Sequence, residues 1–315
     1  MIRGTSGSFL LTLFSTILLF GCGGDGGVTG PKGNSLITLS FSGLEPLTGG
    51  LHYQAWALAG TASEPWGLPV VLFNVDESGQ LVDPAADSIL TGPFQAGLDP
   101  QDILGIGVSL EVSDTLLSYS SFTFILGGDA VQGSVNLDTE HWIAFDRSFT
   151  GISGRFVLAT PTDEDPENEL GGVWFMDTGS TPVGAGLSLP VAPEGWIYEG
   201  WVSVGDQVLS TGRFNGPTGP DSTSTFSGSI AGPSFPGEDF LTDPPGGLSF
   251  PPELVGSSLF VTVEPWMSWD VEADLPFFLR LLDTQVPADA LPMTSYDLVS
   301  LEGQLPTGTA TIQGS

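Results

Sequence analysis

Residues 51–60 read Leu-His-Tyr-Gln-Ala-Trp-Ala-Leu-Ala-Gly, and residues 196–202 read Trp-Ile-Tyr-Glu-Gly-Trp-Val. The same Tyr-x-x-Trp stands in both segments, at residues 53–56 and 198–201. In each case a second apolar run ending in Phe-Asn follows, then a loop rich in Pro, Gly and Asp, then two further apolar runs. A pattern that recurs in the same order indicates two copies of one structural unit.

The apolar runs predict strands rather than helices. They are short, they are broken by Gly, Pro, Asn and Asp, and none of them shows a sustained helical period. Many are apolar on both faces, as in strands that are covered on both sides. The sequence therefore predicts an all-β fold, with two tandem β-sandwich domains after a signal peptide and a Gly-rich tether.

The repeat also sets the expected organisation of the chain. We expect residues 35–137 to form the first β-sandwich repeat and residues 188–315 to form the second, with additional C-terminal strands. Residues 138–187 should supply connecting strands with an acidic loop, which either bridge the two sandwiches or complete the second. From Ala288 onward the pattern indicates a closing pair of strands.

The charge balance excludes some classes of partner. The 315 residues include 37 Asp and Glu but only 6 Lys and Arg, which gives a formal net charge of −31. A nucleic-acid-binding protein needs a basic face to meet the phosphate backbone. Adsorption to anionic lipid through a polybasic patch is excluded for the same reason.

The N-terminus has the features of a lipoprotein signal peptide over residues 1–21. Arg3 precedes a twelve-residue apolar-rich run, residues 9–20, which is shorter than the about 20 residues that span a bilayer. Leu-Phe-Gly-Cys at residues 19–22 resembles the lipobox, which predicts lipidation of Cys22, the only cysteine. The alternative is an ordinary secretory signal with a coincidental cysteine. Residues 22–34 then form the lipidated cysteine and a flexible tether.

Lipidation predicts a location and one partner. The protein should lie in the cell envelope, attached to the membrane through a lipid anchor at the outer membrane or the periplasmic face. Gly23 follows the cysteine where an inner-membrane retention signal would often place Asp, which favours outer-membrane sorting.

Residues 53–58, Tyr-Gln-Ala-Trp-Ala-Leu, and residues 260–265, Phe-Val-Thr-Val-Glu-Pro, point to a family. With the hairpin and long loop between such motifs, the pattern resembles the extracytoplasmic C-terminal domain of anti-sigma-K factors over residues 44–127 and 189–283. The resemblance implies a duplicated, sensor-like β-domain with a protein partner in the envelope. The sequence shows neither the transmembrane helix of that family nor its cytoplasmic helical segment that holds a sigma factor.

The sequence gives little support to catalysis. Its only histidines are His52 and His141, and no Ser lies in a Gly-x-Ser-x-Gly elbow. Ile197 replaces His52 in the second copy, which is typical of a residue on a strand face. Glu111 and Glu264 occupy matching late positions in the two copies, where we expect them to end strands and face solvent. We therefore expect no enzyme and no catalytic residues.

Residues 163–169, Asp-Glu-Asp-Pro-Glu-Asn-Glu, supply five carboxylates in seven positions. Carboxylate oxygens are the ligands that Ca²⁺ takes in proteins, although this spacing is not that of an EF-hand. The candidate calcium ligands are Asp163, Asp165, Glu167 and Glu169. The alternative is an acidic loop in solvent without any metal.

Tryptophans outside the apolar runs are candidate sugar platforms, because carbohydrate-binding sandwiches often present Trp on one face. They are Trp66, Trp266 and Trp269. We expect the remaining prominent tryptophans, which lie within apolar runs, to be core residues; they are Trp56, Trp174 and Trp201.

These observations favour one function and leave an alternative. The favoured interpretation is an envelope-anchored lipoprotein with a non-catalytic binding or sensing role, as the resemblance to the anti-sigma-K factor domain implies. The alternative is a surface glycan-binding module or a calcium-stabilised adhesion module.

Overall fold

The computed structural model describes residues 33–61, 64–266 and 275–315. Within these ranges the regular structure consists of β-strands and two short 3₁₀ turns, Pro100–Asp102 and Glu302–Gln304. The predicted all-β class is therefore confirmed.

Nine strands precede the middle of the chain: β1 Ser35–Ser42, β2 Leu51–Thr61, β3 Glu64–Val75, β4 Leu81–Asp83, β5 Ser88–Ile89, β6 Phe94–Ala96, β7 Gly105–Val112, β8 Phe124–Val131 and β9 Ser134–Leu137. Twelve follow: β10 Ser153–Leu158, β11 Gly172–Trp174, β12 Met176–Asp177, β13 Gly184–Ala185, β14 Leu187–Ser188, β15 Trp196–Val204, β16 Gln207–Phe214, β17 Gly237–Asp239, β18 Ser258–Pro265, β19 Arg280–Gln285, β20 Tyr296–Ser300 and β21 Thr307–Gly314.

The strands form two large antiparallel sheets. The first sheet has the order β5-β4-β3-β2-β7-β8-β9-β21-β1-β6. The second has the order β16-β15-β18-β19-β20-β10-β11-β17, with β14 beside β10, and β12 and β13 form a separate pair. Within residues 138–187, strands β10, β11 and β14 join the second sheet, whereas β12 and β13 pair only with each other.

The sequence repeat corresponds to a repeated strand arrangement. The order β3-β2-β7-β8 in the first sheet matches β16-β15-β18-β19 in the second. Tyr53 pairs with Phe73 as Tyr198 pairs with Phe214. A bulge lies directly before the motif tryptophan in both copies, Trp56 and Trp201. Such a bulge adds one unpaired residue and re-aims the side chain that follows.

The two-domain layout is not confirmed. Lys32–Ser315 forms one compact unit, and its last strand belongs to the first sheet. There β21 lies between β1 and β9, pairing with both. The expected closing pair after Ala288 is therefore wrong: β20 joins the second sheet and β21 the first. Local patterns predict strands, but they do not determine which distant strand is the partner.

One continuous core joins the sheets. Tyr53 and Phe73 from the first sheet and Tyr198 and Phe214 from the second belong to the same cluster of buried side chains. Because side chains alternate along a strand, the motif tryptophan points to the opposite face from the motif tyrosine. Trp56 accordingly packs in a small separate cluster with neighbours from β2 and β8.

Candidate binding site

A cavity of about 540 Å³ lies between the segment that leads into β2 and the end of β18. The segment before β19, β19 itself and the segment after β20 complete its wall. Its size falls in the range of small-molecule and peptide-side-chain pockets. Apolar side chains line part of the cavity, among them Leu47, Leu51, Phe277, Phe278 and Leu305, and polar atoms contribute somewhat more of the exposed lining than apolar atoms do.

Four charged residues line this cavity: Glu45, Glu264, Arg280 and Asp283. The Arg280 guanidinium lies 3.9 Å from the centre of the Phe260 ring, in a cation–π contact. Glu45 and Asp283 outnumber the Arg280 guanidinium, which gives the wall an acidic character. The cavity can therefore bind an apolar group that carries a positive charge or hydrogen-bond donors.

Glu264 connects the cavity to a buried polar network on the second sheet. Its Oε1 accepts hydrogen bonds from Thr262 Oγ1 at 2.6 Å, from Trp201 Nε1 at 3.2 Å and from the Phe277 backbone N–H at 3.2 Å. The prediction that Glu264 faces solvent is wrong, because its side chain is buried. Buried carboxyl groups need such donors to offset the loss of water.

A second carboxyl group and an arginine complete this network. Arg213 Nε donates to Glu199 Oε2 at 2.6 Å, and its Nη2 lies 3.7 Å from Glu264 Oε2. Burial raises the pKa of Glu264 to about 8, and the charge of neighbouring Glu199 and a hydrogen bond to it act in the same direction. One guanidinium cannot neutralise two charged carboxylates, so at neutral pH the Glu264 carboxyl is mainly protonated.

The first copy has a corresponding buried polar network that lacks the arginine. Trp56 Nε1 donates to Ser109 Oγ at 2.8 Å, and Ser109 Oγ donates to Glu111 Oε1 at 2.5 Å. The Ser121 backbone N–H also reaches Glu111. Burial raises the pKa of Glu111, and here too the solvent-facing prediction is wrong. Gln54 of the first copy occupies the position of Glu199 in the second, so only the second copy has a carboxyl group at this position.

The expected core tryptophans are buried, and each has a polar partner. Trp56, Trp174 and Trp201 lie in the interior, as predicted. Trp174 Nε1 donates to Asp239 Oδ1 at 2.6 Å, and Thr162 donates to Asp239 Oδ2 through its backbone and its hydroxyl. A second cavity, of about 290 Å³, lies beside Thr162 and Trp174.

Only a weak sequence signal pointed to Glu199 and Arg213. Arg213 is one of six basic residues in the chain, and Glu199 replaces the Gln of the first copy. The comparison of the copies could have drawn attention to Glu199. The comparison of the copies does not show that Glu199 and Arg213 lie on the same face as Glu264, because that depends on how three strands pair.

The predicted calcium ligands form a loop that binds its own backbone. The Asp165 N–H donates to Asp163 Oδ1 at 3.2 Å, and the Glu167 N–H donates to Asp165 Oδ1 at 3.0 Å. Glu169 instead accepts the Thr160 N–H at 3.1 Å. Among the residues that the structure describes, no three acidic, His or Cys side chains are grouped so that they could hold a metal ion.

Two of the three candidate sugar-binding tryptophans are exposed. Trp66 lies at the start of β3 and is 48% exposed, and Trp266 follows β18 and is 57% exposed. They belong to different sheets, so the structure does not place them on one platform. Trp269 lies outside the described residues, as does Cys22.

The histidines lie on the first sheet and beside it. His52 is buried on β2, and its Nε2 lies 3.3 Å from Asp114 Oδ1. His141 lies in the segment after β9, with Nε2 3.2 Å from Asp129 Oδ1.

In the described part of the chain, no helix has the length and apolar character needed to cross a bilayer.

Comparisons with protein-family models, with curated proteins and with solved structures gave no match to this chain. The site is therefore interpreted from its own geometry.

Proposed function

We propose that this chain is a lipid-anchored protein of the cell envelope with a non-catalytic binding or sensing role. The observation that carries the binding role is the 540 Å³ cavity, because it combines apolar side chains with the buried Glu264 network. The lipobox-like residues 19–22 support the anchor, and the resemblance to the anti-sigma-K factor domain supports the sensing role. The ligand is an apolar group with a donor or a positive charge, presented by an envelope protein.

A cross-linking experiment in cells tests this proposal. The lipidated protein is cross-linked in the envelope, purified and identified with its partners by mass spectrometry. Leu275→Trp fills the edge of the cavity, and Leu291→Trp is the matched control, because Leu291 is equally exposed but does not line the cavity. One membrane protein should be captured by the wild type and the control and lost with Leu275→Trp. Identical capture by all three proteins contradicts a role for the cavity.

Glycan binding is the second candidate, because Trp66 and Trp266 expose about half of their surface. Exposed tryptophan faces are the groups on which sugar rings stack. Retention on cell-wall polysaccharide that is lost in Trp266→Ala, without a change in melting temperature, would favour this function.

A further inference from the structure

One end of the first sheet combines the point where the N-terminal segment leaves the fold with exposed apolar side chains. We call this the tether end: the start of β1, the start of β3, the residue before β7 and the turn between β8 and β9. β1 begins at Ser35, which pairs with Gly314. Ile312 of the same strand donates its N–H to Gly133 O in the β8–β9 turn at 2.8 Å. The chain from residue 22 therefore enters the fold next to that turn.

Three exposed apolar side chains lie at the tether end. Trp66 pairs with Ala59 of β2, and Leu104 lies directly before β7. The Ala130 N–H donates to Leu104 O at 2.7 Å, and Val131 follows Ala130 at the end of β8. Leu104 is 47% exposed and Val131 is 67% exposed. Trp66, Leu104 and Val131 therefore lie at the same end of the first sheet, with β2 between Trp66 and Leu104 and with Val131 one position beyond the partner of Leu104.

The length of the chain outside the fold argues for a lipid occupant. Ten residues lie between Cys22 and Gly33, so eleven residue-to-residue steps join them. At no more than 3.3–3.6 Å per residue, they reach about 40 Å at most. A lipid on Cys22 thus holds the start of β1 within about 40 Å of the membrane, and the tether end is the end of the first sheet to which this segment connects.

Charge decides what kind of membrane contact this is. No Lys or Arg occurs between residues 33 and 146, so this part of the first sheet offers no basic group to lipid phosphates. Asp102 and Asp129 lie near the same end. The contact must therefore be apolar and favour zwitterionic headgroups over anionic ones.

We propose that the tether end is a membrane-docking surface, in which Trp66, Leu104 and Val131 enter the headgroup region of the leaflet that holds the lipid on Cys22. This inference rests on the lipid anchor in the proposed function. Trp66 acts as the interfacial anchor, because its ring is apolar and its N–H stays hydrated. Docking gives the anchored protein a fixed orientation, with the opposite end directed away from the membrane.

Fluorescence quenching by brominated lipid tests this proposal. The lipidated full-length product is reconstituted into phosphatidylcholine vesicles with brominated or ordinary acyl chains. Brominated vesicles should lower the tryptophan emission of the wild type. Trp66→Phe should reduce that quenching at least twofold, and Leu104→Asp should reduce it at unchanged vesicle association. High salt should have no effect, because the contact is apolar.

Trp266→Phe is the matched control. The Trp266 N–H donates to Gly195 O at 2.8 Å, and Gly195 lies beside Thr123, directly before β8 at the opposite end of the first sheet. This variant should therefore keep the quenching of the wild type. Equal quenching in wild type and Trp66→Phe overturns the docking surface.

The mass of the Cys22 peptide separates the two proposals. A lipidated Cys22 without quenching at Trp66 overturns only the docking surface. An unmodified Cys22 overturns the anchor and, with it, the docking surface. Retention on peptidoglycan without quenching by brominated lipid also overturns the docking surface and assigns Trp66 to glycan binding.

Discussion

Replacing Glu264 with Gln should change how the stability of the protein depends on pH. Glu264 is buried, and burial together with Glu199 raises its pKa from 4.5 to about 8. Gln resembles the protonated carboxyl, since it keeps an acceptor for Trp201 and a donor for Glu199. The variant should therefore preserve the network while it removes the titration.

The direction in which stability changes with pH follows from the direction of the pKa shift. Because the folded-state pKa of Glu264 lies above the unfolded value, the folded state holds a proton that the unfolded state has released. The associated stability is fully present below the unfolded pKa and is lost as pH rises through about 8. Between pH 5 and pH 8 the wild type should lose on the order of 3–4 kcal/mol relative to Glu264→Gln.

Urea unfolding of both proteins at a series of pH values measures this difference. The two free energies of unfolding should be similar near pH 5, and the variant should be the more stable protein at pH 8. Glu253→Gln, at an exposed position, is the control and should follow the wild type. A difference between wild type and Glu264→Gln that stays constant across this range would refute the raised pKa and the proposed protonation state.

Three further predictions concern stability. Trp201→Phe should lower the free energy of unfolding by about 1–3 kcal/mol in urea titrations, because Thr262 and Glu264 lose a buried donor; an unchanged midpoint would contradict this. Gly128→Ala should destabilise the fold strongly, because its Cβ would overlap the Asn136 carbonyl. In the control Gly216→Ala the added Cβ meets no atom, so this variant should melt like the wild type. Equal melting temperatures for the two variants would contradict the close packing at Gly128. A calcium chelator should leave the melting temperature unchanged, because backbone groups already occupy the 163–169 loop; a fall would restore the calcium-stabilised alternative.

The sequence repeat predicted the central strands of both sheets. The quoted runs at residues 51–60 and 196–202 form β2 of the first sheet and β15 of the second. The motif residues also occupy matching registers in the two copies, Tyr53 with Phe73 and Tyr198 with Phe214. This succeeded because strand formation and side-chain alternation depend on local residues.

What the sequence did not predict depends on contacts between distant segments. The pairing of β21 with β1 joins residues about 270 positions apart, and no local pattern determines that choice. The prediction that Glu264 faces solvent was wrong for a related reason. A Glu after alternating Val residues is typical of a solvent-facing strand end, and only the covering segment at Phe277 and the neighbouring Arg213 keep it buried and paired. Cys22 and Trp269 remain predictions.

The position of β21 has a consequence for biosynthesis. The first sheet contains both the first strand and the last strand of the fold, and the Ser315 N–H donates to Asn34 O. The sheet therefore stays incomplete until the residues of β21 have been synthesised. Until then β1 and β9 present unpaired edges, which are open to proteases and to pairing with other chains. A truncation just before Thr307 should thus be as damaging as a much larger one, because β1 and β9 would both lose the strand that pairs with them.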